Sequence, residues 1–210
     1  MTQLIEALSY PFVQRAIAAG VMISLCAALL GVILVLKQYS LIGHGLGDVG
    51  FASTSLAVAL GLPVMAVSIP IVVIAACLIM FWSQRSKTGG DTAIGMVATG
   101  ALSIGVIITA MSSGFNVDVN GYMFGSILAM SREDVIFSVV LSIVILVLFV
   151  VFYNRLFLIT FDENFAKASG IRVGFYQFLI ALLTALTVVM GMRMMGSLLI
   201  SSLIIFPAVI

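Results

Sequence analysis

Long runs of apolar residues alternate along this chain with short polar stretches. A hydrocarbon layer about 30 Å thick is crossed by about 20 residues of helix, so each run of that length predicts one membrane-spanning helix. The runs are continuous rather than alternating, and each is longer than a barrel strand, which excludes a transmembrane β-barrel. The predicted spans are 12–36, 42–61, 64–82, 92–111, 135–153 and 175–192, with a seventh beginning near Gly196.

The fold class predicted from this pattern is all-α, a polytopic membrane helix bundle of about seven spans that forms one transmembrane domain over residues 1–210. The seventh run is still apolar at Ile210, so we expect the natural protein to continue beyond it. Residues 1–6 lack the basic segment of a secretory signal, so the first span is expected to be retained.

Composition agrees with a bilayer environment. Hydrophobic residues make up 63% of the 210 residues and charged residues only 8%, against about 25% charged residues in a typical soluble domain. The net charge of +1 gives no long-range field for nucleic acid. Cys26 and Cys77 both lie in apolar runs, where small buried side chains are expected rather than a disulfide.

Basic residues between the spans predict an orientation. With the N-terminus outside, three basic residues lie on the outer side, namely Arg15, Arg132 and Arg193, and six lie on the cytoplasmic side. This ratio satisfies the positive-inside rule, and the opposite orientation would invert it. The six cytoplasmic residues are Lys37, Arg85, Lys87, Arg155, Lys167 and Arg172.

The only histidine, His44, is followed four residues later by Asp48 in a glycine-rich stretch. Positions i and i+4 share one helix face, and imidazole with carboxylate suits Zn²⁺ or Mn²⁺. An ionisable group at membrane depth indicates a functional site. The competing interpretation places both residues near the helix end, with His44 in water and Asp48 pairing or capping. The nearby glycines permit close packing or an unwound stretch that lines a path.

Two segments between spans have their own patterns. The outer segment 112–134 contains an apolar stretch at 122–128 that is too short to span, so it is either a re-entrant half-helix or an interfacial helix. The segment 160–173 predicts a short amphipathic helix, because Thr160 and Glu163 form a capping box and Gly170 is a natural C-terminal stop. That helix is either a docking element for a soluble partner or a plain connector.

No phosphate-binding loop of the type G-x-x-x-x-G-K-[ST] occurs in the sequence, so any ATP-driven motor is a separate polypeptide. No nucleophile lies beside the single histidine. We therefore expect a transporter rather than an enzyme, with no catalytic residues and no cofactor of its own.

An ordered set of motifs resembles one family, the permease subunits of the ABC importers for zinc, manganese and iron. The motifs are S-L-I-G-x-G-L at 40–46, D-T-A-I-G at 91–95, Y-M-F-G-S-I-L at 122–128, the spaced Asp162, Ala166 and Gly170, and G-S-L-L-I-x-S-L-I-I-x-P-A at 196–208.

The resemblance implies a pair of permeases around a central path in the bacterial cytoplasmic membrane. It also implies a separate ATP-binding cassette ATPase subunit and an extracellular solute-binding protein that delivers the metal. The helix at about 161–170 would be the coupling helix. Its contact with the ATPase would involve Asp162, Glu163, Ala166 and Gly170. Family chains also continue past the motif at 196–208.

One departure from the family concerns the metal ligands. The family usually has Asp where this chain has His44, and His where this chain has Asp48. The ligand types of the i, i+4 pair are unchanged, so a metal site survives the exchange if both side chains face the path. Thr99 stands where some relatives carry a further His.

The sequence thus predicts an importer subunit for a divalent metal, zinc or manganese, that works by alternating access. An ion-coupled carrier or channel is the rival class, although such proteins usually carry more intramembrane acidic residues. A metal chelate of the siderophore or cobalamin type is the alternative cargo.

Overall fold

The computed structural model describes residues 10–85, 90–111, 125 and 132–209. Eight helices account for almost all of these residues, and no strand occurs among them, which confirms the all-α class. The helices are α1 (Pro11–Leu36), α2 (Ile42–Ala59), α3 (Val64–Arg85), α4 (Gly90–Met111), α5 (Arg132–Phe161), α6 (Glu163–Ala168), α7 (Val173–Met195) and α8 (Ser197–Val209).

Five helices are long and apolar enough to cross a membrane, namely α1, α3, α4, α5 and α7. The other two predicted spans are also helical but differ in character. Helix α2 has 18 residues, among them His44, Asp48 and several glycines that lower its hydropathy. Helix α8 has 13 described residues, fewer than a bilayer crossing needs. The multi-pass bundle is therefore established, while the count of seven spans stays a prediction.

Charged residues along two helices, α5 and α7, mark two levels of the bundle. Asp134 and Arg155 are 21 positions apart on α5, and Arg172 and Arg193 are 21 positions apart along α7. At 1.5 Å per residue these separations are about 32 Å, the thickness of a hydrocarbon core. Arg193 Nη1 pairs with Asp134 Oδ1 at 3.2 Å, which places both helices in register at one level. The intervening segments are free of Asp, Glu, Lys and Arg.

Helix α7 lies at the centre of the bundle. It packs against α1, α2, α3, α5 and α8, and 72% of its most apolar window is buried. Helix α4, by contrast, has only 17% of its most apolar window buried, because it packs mainly on α2 and its other face is exposed. Most side chains exposed on α4 are apolar, and the exposed hydroxyls of Thr99 and Ser103 donate to carbonyls of their own helix. A lipid environment accepts such a surface without polar cover.

Small residues set the closest helix contacts, but not at every position where they occur. Gly105 packs against the ring of Phe51, where an added Cβ would lie 2.8 Å from Cδ1. Gly95 and Gly100, by contrast, have nothing within 4 Å of an added Cβ. The small residues of α4 therefore pack on a neighbouring helix at one level and leave the surface open at another.

A matched pair of substitutions tests this packing. Gly31 of α1 lies against the main chain of α8, where an added Cβ would collide with the carbonyl of Ile204. We expect Gly31→Ala to destabilise the folded state by about 1–3 kcal/mol, since a backbone cannot rotate away. The control Gly95→Ala should stay within about 0.5 kcal/mol of the parent. Thermal unfolding of the purified variants in one detergent measures both, and equal midpoints would contradict the close contact.

The boundary between α5 and α6 corrects one prediction. The sequence predicts a polar loop from residue 154 and Thr160 as the cap of the next helix. Instead α5 continues to Phe161, because apolar residues such as Leu156 and Ile159 are buried against the bundle. Thr160 lies within α5 and donates its hydroxyl to the Leu156 carbonyl at 2.7 Å.

Candidate metal path and docking helix

Helix α2 is continuous through its glycine-rich start, so these glycines serve close packing rather than unwinding. An added Cβ at Gly43 would lie 3.1 Å from Ser201 Cα, and one at Gly47 would lie 3.2 Å from Ser197 Cβ. An added Cβ at Gly45 would collide with Ile94 of α4. Alternate glycines thus seat α2 between α8 on one side and α4 on the other.

The continuous helix places His44 and Asp48 on one face, as the i, i+4 spacing predicts. His44 Nε2 lies 3.9 Å from Asp48 Oδ2. The His44 side chain is 53% exposed and the Asp48 side chain 15% exposed. The pair therefore borders an open surface of this chain, with the imidazole outermost. Asp48 lies six residues into α2 rather than at its end, which argues against a capping role.

No third ligand joins this pair within the described part of the chain, where no group of three or more His, Cys, Asp or Glu side chains could hold a metal. Thr99 belongs to the stretch of α4 that packs along α2, but its hydroxyl donates to the Gly95 carbonyl of its own helix at 2.9 Å. A metal ion held by these two side chains alone would keep coordination positions open for water or other groups.

The start of α2 is fixed by a contact that the sequence reasoning missed. The Leu41 N–H donates to Asp91 Oδ1 at 3.0 Å, which ties the turn before α2 to the first residues of α4. Gly90 packs beside this turn, where an added Cβ would lie 2.7 Å from the Gln38 carbonyl. The motif at 91–95 contains Asp91, but its partner lies 50 positions away and no local pattern identifies it.

The half-helix or interfacial helix predicted at 122–128 lies outside the described residues, except for Gly125. Gly125 is described, with φ at 71°. An added Cβ at Gly125 would lie 2.9 Å from the Met194 carbonyl and would collide with Gly196 at the α7–α8 junction. Gly125 therefore packs against the α7–α8 junction, where the motif at 196–208 begins.

Helix α6 is a separate six-residue element with defined ends. Asp162 is its N-cap, and Asp162 Oδ1 accepts the Phe165 N–H at 2.8 Å. This corrects the predicted capping box by two positions. Gly170 has φ at 78°, in the left-handed region that favours glycine, so its predicted role as the stop is confirmed.

Two internal contacts hold α6 against the bundle. Ala166 is fully buried, so its methyl group packs into the core and faces away from the surface. Glu163 accepts from Lys167 Nζ at 2.7 Å and from Gln177 Nε2 of α7 at 3.1 Å. The exposed side chains of α6 include Phe165, which is 57% exposed. Helix α6 is therefore a short helix fixed to the bundle, with the Phe165 side chain facing outward.

Lys37, in the turn after α1, interacts electrostatically with charged residues of α6. Burial lowers the pKa of the Lys37 ammonium group, the Glu163 carboxylate opposes that effect, and the Lys167 ammonium adds to it. Lys37 is therefore close to α6. Lys37 also lies in the turn that leads to α2, the helix that carries His44 and Asp48.

A multi-pass helix bundle with a short capped helix outside the spans and a His–Asp pair on α2 is typical of a membrane transport protein. The chain belongs to the ABC 3 transport family, whose profile matches residues 9–210. This membership confirms the resemblance drawn from the ordered motifs.

Curated relatives have similar sequences over most of this chain. The manganese transport system membrane protein MntC of Halalkalibacterium halodurans is 29% identical over 202 residues, covering 96% of this chain and 69% of the relative. The high-affinity zinc uptake system membrane protein ZnuB of Haemophilus influenzae is 31% identical over 197 residues, covering 92% of this chain and 74% of the relative.

Solved structures support the same fold. PsaBC from Streptococcus pneumoniae, in complex with a Fab, has a chain that superposes with a TM-score of 0.83 at 29% identity, covering 99% of this chain and 75% of that one. An inward-facing ABC transporter described as of metal-chelate type superposes with a TM-score of 0.70 at 18% identity, which shows a shared fold alone.

Proposed function

We propose that this chain is the membrane-spanning subunit of an ATP-driven importer for a divalent transition metal, manganese or zinc. The observation that carries the proposal is the His44–Asp48 pair, which lies at 3.9 Å on a continuous helix inside a bundle of this transport family. Relatives named for manganese and zinc transport support the choice of cargo.

The exchanged order of the two ligands is compatible with metal binding. Both residues project from one face of α2, so imidazole nitrogen and carboxylate oxygen reach the same side whichever comes first. A pair of ligands binds weakly and leaves open positions, which suits an ion that must be released. A second permease copy would bring its own pair to a shared path and complete a transient site.

Helix α6 is proposed as the docking element for the separate ATPase subunit, with contact through the surface around Asp162, Glu163 and Gly170. Ala166 supports this surface from beneath. Glu163 is bonded to α7 and lies near Lys37, so it also carries motion of the docking helix into the bundle. ATP is bound by the ATPase subunit, and this chain has no enzymatic role.

Loss of the α6 cap should weaken docking. Asp162→Ala removes the acceptor for the Phe165 N–H and costs about 1 kcal/mol of local helix stability. We expect several-fold less ATPase subunit to co-purify with this variant. The control Asp162→Asn keeps a capping oxygen and should retain the complex. Equal recovery with Asp162→Ala would show that docking does not depend on the α6 cap.

The proposed orientation determines on which side of the membrane each partner lies. With the N-terminus outside, α6 and the charged level at Lys37 and Arg155 face the cytoplasm, where the ATPase subunit works. The opposite surface receives metal from an extracellular solute-binding protein. The membrane is the bacterial cytoplasmic membrane.

The cargo is tested in cells that lack this chain. We expect cellular manganese or zinc to fall during growth on low concentrations of the free ion, and expression of the chain to restore it. Uptake of a siderophore-bound or cobalamin-type metal should be unchanged, because a chelate hides the ion from His44 and Asp48. A defect confined to the chelate would contradict the free-ion cargo.

A further inference from the structure

A cavity of about 700 Å³ opens where α5, α6 and α7 meet, away from the His44–Asp48 pair. Its wall includes Arg155 of α5, Arg172 just before α7, and the side chains of Ser169, Phe175 and Tyr176. Gly170, at the edge of the proposed ATPase docking surface, also lines it. We propose that this cavity binds the phosphate headgroup of an anionic phospholipid.

The cavity carries positive charge without a balancing acid. Arg155 Nη1 donates to Tyr176 Oη, and its guanidinium carbon lies 5.8 Å from the centre of the same ring, so this side chain is held in place. Arg172 is exposed beside it. Neither guanidinium belongs to an ion pair within the described ranges, where the pairs are His44–Asp48, Lys167–Glu163 and Arg193–Asp134. Two guanidinium groups at one cavity favour a phosphate, which accepts their paired N–H donors.

The level of the cavity matches a lipid headgroup. Arg155 and Arg172 lie one hydrocarbon thickness, about 32 Å of helix rise, from Asp134 and Arg193. Phosphates of a phospholipid leaflet lie at this boundary. The cytoplasmic leaflet carries anionic lipids that basic side chains at the surface attract.

An apolar surface continues from the cavity toward the hydrocarbon region. Phe175 lines the cavity and is 55% exposed. Leu182, seven positions on, shares its face of α7 and is half-buried. On α5, Val151 shares a face with Arg155 four positions away and is 67% exposed. Acyl chains would cover this surface while the phosphate occupies the cavity. Free phosphate would need only the polar part, so the apolar continuation favours a lipid.

The test measures lipid retention by native mass spectrometry of the transporter complex in detergent. Phosphatidylglycerol and phosphatidylcholine with identical acyl chains are added in equal amounts. We expect the complex to retain phosphatidylglycerol in preference, and the double variant Arg155→Gln/Arg172→Gln to lose that preference by roughly tenfold. Arg155→Lys/Arg172→Lys keeps the charge and should retain most of the binding. The control Arg132→Gln removes an exposed cation at the opposite level and should have no effect.

Several results would overturn the proposal. Equal retention of the two lipids would do so, as would a preference unchanged in the glutamine double variant. Release of phosphatidylglycerol by millimolar inorganic phosphate would identify a site for free phosphate instead. Loss of the ATPase subunit from the glutamine variant with lipid retention intact would identify a protein contact. The lysine double variant controls for misfolding, because it tests the same positions with charge preserved.

Discussion

Replacing Asp48 by alanine should reduce manganese or zinc uptake by about tenfold or more, because even residues that only support metal ligands change affinity by about 10–100-fold. His44→Ala should have a similar effect, since a lone carboxylate binds these ions more weakly than the pair. The measurement is ATP-driven uptake of the radioactive ion by proteoliposomes that contain the permease and its ATPase subunit at matched protein levels.

Two controls separate ligand loss from damage to the helix. Thr99→Ala removes a hydroxyl that bonds only to its own helix, so uptake should stay close to that of the parent. The double variant His44→Asp/Asp48→His restores the usual order of the family and should retain uptake, because both side chains leave one face of α2. Undiminished uptake in the alanine variants would remove the pair from the mechanism.

Ala166→Glu should abolish coupling between the permease and its ATPase subunit. Ala166 is fully buried under α6, and a carboxylate placed there without a partner costs several kcal/mol. Helix α6 would detach from the bundle rather than bury the charge, and the proposed docking surface would be lost. Co-purification of the ATPase subunit and ATP-driven uptake both measure this effect, and both should fall to background.

The control for that variant is Ala166→Ser, which adds a hydroxyl able to donate to a carbonyl one turn earlier in the chain. It should co-purify with the ATPase subunit and transport at close to the parent level. The membrane bundle itself should survive in both variants, as checked by monodisperse elution and unchanged helix content. If Ala166→Glu still binds the ATPase subunit, docking does not require α6 in its observed position.

The main spans could be predicted because lipid imposes a minimum length on each apolar run. The predicted bounds 64–82 and 175–192 compare with observed helices Val64–Arg85 and Val173–Met195. The end of α5 could not be placed from the sequence, because the polar residues near Arg155 resemble a loop. Burial of Leu156 and Ile159 against neighbouring helices decides that boundary instead.

The candidate site was predictable only where its members are neighbours in sequence. The spacing of His44 and Asp48 on a helix predicts their proximity. The bonds from Leu41 to Asp91 and from Gln177 to Glu163 depend on how separate helices pack, so no local pattern reveals them. Glycine content alone also left open whether α2 was packed or unwound.

We propose that this chain moves a divalent metal only when a separate ATPase subunit hydrolyses ATP. The direct measurement is uptake of manganese or zinc by proteoliposomes that hold both subunits, with ATP supplied and with ATP replaced by an imposed proton or sodium gradient. We predict uptake with ATP, none with either gradient, and loss of the ATP-driven signal in Asp48→Ala. Gradient-driven uptake by the permease alone would contradict this account and identify an ion-coupled carrier.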